Sequence, residues 1–304
     1  MGRTKEDRLN RIPTFTMLGA GETVLMLHGI GGGHLSFAPQ VETLAEAGYR
    51  AVAWDMPGYG HSAPIEPYTF MGLAQSCIRL IEALVGAPAA ERGGSDDPAP
   101  GRPQPDQPPR GAATRAAAER GGSVVLVGHS MGGMVAQEVV ARRPDLVHKL
   151  VLCGTSAAFG RRTDGRSADA WAQQFIAQRT APLDAGQTMA QMAATLVPQM
   201  IGPGSLPEGV HLAEFCMGRV PAATYRRALD CLVTFDRLAA LARIRVPTLL
   251  VGGEFDRVAA PVVMKQMAQA IPHGRYVELA GIGHLMNQEA PDEFDRLLLD
   301  FLRT

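Results

Sequence analysis

The fold of this chain is decided at residues 123–133, where the sequence reads Ser-Val-Val-Leu-Val-Gly-His-Ser-Met-Gly-Gly. The apolar, β-branched run at 124–127 is typical of a strand that is buried on both faces. Residues 128–132, Gly-His-Ser-Met-Gly, follow directly and fit the pattern G-x-S-x-G, and residues 134–141 then favour a helix. This order of strand, sharp turn and helix predicts that Ser130 lies at the turn in a strained backbone conformation.

Ser130 is a candidate nucleophile, because such a turn projects its hydroxyl and the following helix N-terminus favours developing negative charge. A serine hydroxyl also needs a base to accept its proton and a carboxylate to hold that base. In open α/β sheets these groups lie at the carboxyl ends of strands. Asp256 follows one predicted strand and His284 follows the next. We therefore predict the catalytic set Ser130, Asp256 and His284, with Glu254 as an alternative acid.

The composition is that of one large domain with an insertion: 304 residues, 46% of them hydrophobic, which allows a substantial core. A net charge of −1 gives no indication of nucleic acid or of an anionic membrane surface as a partner. The four cysteines lack metal-binding spacing and predict free thiols in a reducing compartment, with no metal. The N-terminus resembles no secretory signal and no run reaches the length of a membrane span, so we expect a cytoplasmic protein.

Predicted strands alternate with predicted helices, which implies a mostly parallel, doubly wound sheet with helices on both faces, an α/β fold. The predicted strands lie at 14–18, 23–27, 50–55, 124–127, 149–153, 247–253 and 275–279, and the predicted helices at 35–47, 69–85, 134–141, 262–271 and 291–302.

Residues 1–12 are expected to be a loose arm. Two later segments interrupt the alternation of strands and helices. Residues 86–122 are rich in proline and glycine and predict a mobile insertion loop. Residues 155–243, the cap segment, carry scattered apolar residues without a strand signal. We expect this segment to form a helical cap over the carboxyl edge of the sheet, with residues 1–154 and 244–304 as the core.

Four motifs follow one another along the chain. They are His28-Gly29-Ile30, the G-x-S-x-G turn, the strand leading into Asp256, and Gly283-His284. In these motifs the chain resembles the α/β-hydrolase fold superfamily, from about residue 14 to 302 apart from the 86–122 loop. The order of serine, acid and histidine also matches that superfamily. Some members carry the acid one strand earlier, but residues 154–160 contain no carboxylate, which favours Asp256.

The resemblance implies an oxyanion hole made by the backbone N–H groups of Ile30 and Met131, with Gly31 as an alternative to Ile30. Such donors hold the negative oxygen of a tetrahedral intermediate. The glycine-rich stretch at 28–34 fits no nucleotide-binding pattern, so we expect no cofactor. Candidate substrate-binding residues are Gly29, Gly31, Trp171, Met189 and Met192.

A serine nucleophile indicates acyl transfer, since relatives that cut carbon–halogen bonds or epoxides use a carboxylate. We expect hydrolysis of a carboxylic ester of a small to medium hydrophobic substrate through an acyl-enzyme. One alternative is a carbon–carbon bond hydrolase for aromatic ring-cleavage products, with cap arginines as partners of an acidic substrate. That alternative is weakened by Leu285 after His284 and by the glycine run at 31–33. Lactonase, thioesterase and perhydrolase activities stay open, as does a non-catalytic ligand receptor. The cap arginines considered for an acidic substrate are Arg161, Arg162, Arg166 and Arg179.

Overall fold

The computed structural model describes residues 12–86, 122–160 and 168–304 of the chain. The predicted N-terminal arm and the predicted insertion loop lie outside these ranges, apart from their end residues. Arg161, Arg162 and Arg166 of the cap segment lie outside them as well.

Seven strands form one sheet in the order β1-β3-β2-β4-β5-β6-β7. The strands are β1 (Phe15–Leu18), β2 (Thr23–Leu27), β3 (Arg50–Trp54), β4 (Val124–His129), β5 (Val147–Cys153), β6 (Thr248–Gly253) and β7 (Gly274–Leu279). Only β1, which pairs with β3, runs antiparallel to its neighbour; the other pairs are parallel. The prediction of a mostly parallel, doubly wound α/β sheet is therefore confirmed.

The helices follow the strands as the alternation predicts, with four of them inside the cap segment. They are α1 (Ala38–Glu46), α2 (Phe70–Gly86), α3 (Met131–Arg142), α4 (Ala168–Asp184), α5 (Met189–Leu196), α6 (Pro207–Gly218), α7 (Ala222–Leu232), α8 (Pro261–Ala270), α9 (Met286–Glu289) and α10 (Pro291–Arg303). The short helix α9 was not expected from the sequence. It begins two residues after His284 and therefore bears directly on the site described below.

The sheet is covered on both faces, which explains why its central strands are continuous apolar runs. In β2, Leu25 and Leu27 belong to one buried cluster, while Val24 and Met26 belong to a second cluster that contains residues of α1 and α10. Successive strand residues point to opposite faces, so both sets can be buried only when both faces are covered.

The two ends of the cap segment are joined to each other beside the sheet. Ala158 and Asp236 form an isolated antiparallel bridge, and the N–H of Phe159 donates a 2.9 Å hydrogen bond to the carbonyl of Phe235. The sequence carries no strand signal here, because a two-residue bridge is too short to produce a periodic pattern. Helices α4 to α7 therefore leave and rejoin the sheet at neighbouring points.

Candidate active site

Ser130 occupies the sharp turn between β4 and α3, with φ 52° and ψ −120°. Among the described residues it is the only non-glycine residue with a positive φ. Such a conformation costs about 1–3 kcal/mol, so surrounding contacts must hold it. The Ser130 N–H donates to the carbonyl of Cys153 at 2.9 Å, and the Thr155 hydroxyl donates to the carbonyl of Ser130 at 2.7 Å.

The two glycines of the motif are required by close backbone packing. A Cβ at Gly132 would lie 2.1 Å from the carbonyl oxygen of Leu27, and a Cβ at Gly128 would lie 2.6 Å from the carbonyl oxygen of Gly132. Both distances are far below van der Waals contact with backbone atoms that cannot move aside. Any side chain at position 128 or 132 would therefore prevent β2, β4 and α3 from packing this closely at the turn.

His284 and Asp256 are joined by a 2.8 Å hydrogen bond between Nδ1 and Oδ2, and both residues are buried. The other carboxylate oxygen, Oδ1, accepts the N–H groups of Val258 at 2.7 Å and Ala259 at 2.8 Å. Burial alone raises the pKa of Asp256, but the His284 imidazole and the two backbone donors outweigh it and hold that pKa below its ordinary value. A charged Asp256 accepts a hydrogen bond from Nδ1–H of His284, and this tautomer leaves the Nε2 lone pair available.

Glu254, the alternative acid, lies elsewhere. Its side chain is exposed and its carboxylate accepts the N–H of Gly281 at 2.8 Å. The carboxylate that the structure brings to His284 is that of Asp256.

The loop that carries His284 is held by Glu289, a residue that the sequence did not single out. Its wholly buried carboxylate accepts the N–H groups of Gly283 and Leu285, each at 2.7 Å, on either side of His284. The same carboxylate accepts the N–H of Gly202 at 2.8 Å and the hydroxyl of Ser205 at 2.6 Å. Glu289 therefore joins the histidine loop to the cap segment.

His28 fixes the glycine-rich loop that faces Ser130. Its Nε2 accepts the N–H of Met56 at 3.0 Å, so its Nδ1 is the donor to the carbonyl of Gly29 at 2.8 Å. Burial lowers the pKa of His28 to about 4, which keeps the ring neutral at neutral pH. The hydroxyl of Tyr59 donates to the carbonyl of Ile30 at 3.0 Å, which orients the next peptide.

The predicted oxyanion donors flank this arrangement. Ile30 lies in the loop opposite Ser130, and Met131 is the first residue of α3. Within the described part of the chain, the amide N–H groups of Ile30, Gly31 and Met131 have no hydrogen-bond acceptor. Ile30 and Gly31 also belong to the lining of the cavity described next, so their N–H groups are available to a ligand there.

A cavity of about 260 Å³ contains residues of this arrangement in its lining, Ser130 and His284 among them. Its lining also includes Gly29 and Gly31, which were predicted to contact substrate. Much of the remaining wall is apolar and comes from the cap segment. Cap residues of this wall include Phe159, Phe175, Leu196, Met200, Met217 and Leu229.

Three other predicted substrate contacts, Trp171, Met189 and Met192, are absent from the described lining of the cavity. Trp171 stacks on Phe175, with ring centroids 5.3 Å apart, and it is Phe175 that reaches the cavity. Met189 and Met192 are buried in the apolar cluster of the cap segment. Their place in the cap core follows from how the helices pack, which the sequence does not encode locally.

The described ranges 12–86, 122–160 and 168–304 contain no cluster of three or more His, Cys, Asp or Glu side chains suited to a metal ion. Along the same ranges, no helix combines the length and the apolar character that crossing a membrane would need. The four cysteines are free and buried.

Comparison with known proteins identifies relatives and a solved structure that match over nearly the whole chain. BpoC of Mycobacterium tuberculosis, which is named as a non-heme bromoperoxidase, is 27% identical over 293 residues, 93% of this chain and 94% of BpoC. An epoxide hydrolase of Caballeronia sordidicola is 28% identical over 336 aligned positions, 95% of this chain and 90% of that protein. The solved structure of a thermophilic esterase from Thermogutta terrifontis superposes with a TM-score of 0.73, at 23% identity, over 95% of this chain and 92% of the esterase.

Residues 24–297 match the alpha/beta hydrolase family, a span that runs from β2 into the final helix and includes the Ser130 turn, Asp256 and His284. The strand order, the turn and this match agree: the chain belongs to the alpha/beta hydrolase family.

Proposed function

We propose that this protein is a serine hydrolase that cleaves a carboxylic ester of a small to medium hydrophobic substrate. The observation that carries the proposal is the hydrogen bond between His284 Nδ1 and Asp256 Oδ2, with Ser130 and His284 lining the same cavity. Ser130 is the nucleophile, His284 is the general base, and Asp256 holds the base in the required tautomer.

Acylation follows from these roles. Ser130 Oγ attacks the ester carbonyl carbon while His284 Nε2 accepts the hydroxyl proton, and charged Asp256 stabilises the resulting imidazolium. The carbonyl oxygen becomes negative and is held by the N–H groups of Ile30 and Met131, each worth about 3 kcal/mol of transition-state stabilisation. The C–O bond to the alcohol then breaks, and His284 gives its proton to the departing alcohol oxygen.

Deacylation repeats these steps with water. His284 removes a proton from a water molecule as the water oxygen attacks the acyl carbon, and the same two N–H groups hold the negative oxygen. The bond to Ser130 Oγ breaks, the serine recovers its proton from His284, and the carboxylic acid leaves.

The nature of residue 130 favours ester cleavage over epoxide opening. Epoxide-opening members of this superfamily attack with a carboxylate, whereas the turn here carries Ser130. The esterase from Thermogutta terrifontis, whose fold this chain shares, supports an ester substrate. The apolar cap wall around the cavity favours a hydrophobic acyl or alkyl group.

The test is hydrolysis of short-chain p-nitrophenyl esters by the wild type, with Ser130→Ala as the control. Turnover by the wild type alone supports the proposal. Covalent labelling of Ser130 by a serine-directed phosphonate without any turnover would instead indicate a non-catalytic ligand receptor.

A further inference from the structure

The charges around the cavity are unbalanced. Its described lining contains two arginines, Arg179 and Arg257, and neither aspartate nor glutamate. Within the described residues, neither guanidinium makes a salt bridge with a carboxylate. Two arginines without a carboxylate among the described lining residues give the cavity a positive potential, so it is suited to an anionic group.

Arg179 is held in place at the cap side of the cavity. It lies on α4, and its guanidinium carbon stands 5.4 Å from the ring centroid of Phe175, which also lines the cavity. Stacking on an aromatic face orients the planar guanidinium and leaves the N–H groups at its edge free to bind a partner.

Tyr225, on α7, supplies a second donor beside Arg179. The residue is only 3% exposed and lines the cavity, yet its hydroxyl has no hydrogen-bond partner within the described part of the chain. Arg179 and Tyr225 line the same cavity. Burial raises the pKa of Tyr225, and the positive charge of Arg179 opposes this rise. A phenol hydroxyl that has no partner in the protein and belongs to the lining of a cavity can donate a hydrogen bond to a ligand bound there.

We propose that Arg179 and Tyr225 bind a carboxylate of the substrate, so that the ester cleaved at Ser130 carries this anion at the far end of an apolar chain. The inference rests on the function proposed for Ser130. A carboxylate matches the planar fork of an arginine and has further lone pairs for a tyrosine hydroxyl. The apolar cap wall of the same cavity suits the chain of such a substrate, and Arg257 adds to the positive potential that attracts anions.

Matched substrate pairs test this assignment. Monoethyl adipate and ethyl hexanoate differ only in that a carboxylate replaces a terminal methyl group, and the series from succinate to suberate varies the distance between the two ends. Hydrolysis is followed by pH-stat. We expect the wild type to prefer the anionic member at one chain length, and Arg179→Gln to lower the ratio of the two kcat/KM values by about 10- to 100-fold. Tyr225→Phe should lower this ratio by about 3- to 10-fold.

Arg219→Gln is the matched control. Arg219 also belongs to the cap segment and its guanidinium carbon lies 5.2 Å from the ring centroid of a phenylalanine, Phe215, but neither residue lines the cavity. This variant should keep the wild-type preference. An Arg179→Gln variant whose ratio changes no more than that of Arg219→Gln would overturn the inference while the ester hydrolase stands.

A binding measurement separates this inference from the proposed function. The Ser130→Ala protein is titrated calorimetrically with the same two esters, so that no turnover is needed. The carboxylate site is supported if the Ser130→Ala protein binds monoethyl adipate more tightly than ethyl hexanoate and if this difference is lost when Arg179→Gln is added to it. Equal binding of the two esters at every chain length refutes it. If the wild type hydrolyses no ester at all, the proposed function fails, and the titration still decides the carboxylate site.

Discussion

The backbone N–H of His284 donates a 2.7 Å hydrogen bond to the carbonyl oxygen of Met200, which belongs to the cap segment. The candidate base is therefore attached to two parts of the molecule: its ring to Asp256 after β6, and its backbone to the cap. Glu289 reinforces the second attachment by accepting N–H groups from both Gly202 and Gly283. A movement of this part of the cap would consequently move the backbone that carries the His284 imidazole.

Glu289→Gln tests whether this attachment positions His284. The new amide nitrogen would face backbone N–H donors, so at least one of the 2.7 Å hydrogen bonds beside His284 is lost. We expect kcat for a p-nitrophenyl ester to fall about 10- to 100-fold with little change in KM, since a displaced base slows the chemical steps more than binding.

Ser205→Ala is the control for Glu289→Gln, because it removes a donor to the same carboxylate on the cap side only. It should cost some stability and leave kcat near the wild-type value. The positioning role would be wrong if Glu289→Gln lowered the unfolding temperature but kept full kcat well below that temperature. An NMR signal from the proton between His284 Nδ1 and Asp256, broadened in Glu289→Gln alone, would support it.

The contrast between Ser130 and Glu289 explains how far the sequence could predict this site. The turn at Ser130 is encoded locally, by a buried strand, two glycines and a helix in direct succession, so its structure follows from neighbouring residues. Asp256 and His284 follow from the rule that parallel strands end at one edge. Glu289 has no such pattern, because its partners Gly202 and Ser205 are more than eighty residues away in sequence.

The cap shows the same limit. Trp171 and Phe175 are four residues apart on α4 and so lie on the same helix face. Both are aromatic, and only the packing of the other cap helices decides that Phe175 reaches the cavity. That Arg179 on α4 and Tyr225 on α7 line one cavity depends on the same packing. Contacts between cap helices are thus the part of the site that local patterns cannot supply.

The proposed triad makes a prediction that separates the two candidate acids. Ser130→Ala and His284→Ala should each lose nearly all activity, because triad members act as a unit. Asp256→Asn should keep the fold and lower kcat by about 10³- to 10⁴-fold, since an amide no longer selects the required His284 tautomer. Glu254→Gln, which alters only the contact with Gly281, should stay within about twofold of wild type. If Glu254→Gln lost most of its kcat while Asp256→Asn kept it, Glu254 and not Asp256 would be the acid.

The strained backbone at Ser130 predicts an unusual order of stabilities. Ser130→Gly and Ser130→Ala both remove the hydroxyl, but only glycine adopts a φ of 52° without strain. Glycine relieves a backbone strain of about 1–3 kcal/mol, but it also gives the unfolded chain more conformational entropy, which offsets part of this gain. The glycine variant should therefore be about 1 kcal/mol more stable than the alanine variant. Urea unfolding measures the difference. At Ser76, inside α2, the same pair should rank in the opposite order, because glycine disfavours a helix. Equal stabilities at position 130 would contradict the strain.

Two buried histidines predict a loss of stability in mild acid. Burial lowers the pKa of His28 to about 4 and that of His129 to about 3, below the ordinary histidine pKa of 6.5. As the pH falls below about 6.5, the unfolded chain binds protons that the folded chain does not, so the free energy of unfolding falls by up to about 1.4 kcal/mol per pH unit for each histidine. The pKa of Asp256 is lowered in the folded protein, so its protonation reduces the free energy of unfolding only nearer pH 4. The loss of stability from the histidines and that from Asp256 therefore occur in different pH ranges.

Urea midpoints measured from about pH 7 down to about pH 5 test this dependence. His28→Asn can replace only the Nδ1 donor to Gly29 and loses the acceptor for Met56, so it starts less stable, but it removes one titrating group. Its stability should therefore fall less steeply with acid than that of the wild type. His61→Asn, at an exposed position, should retain the wild-type slope. If His28→Asn were as acid-sensitive as the wild type, the loop beside Ser130 would not depend on a neutral, buried imidazole at position 28.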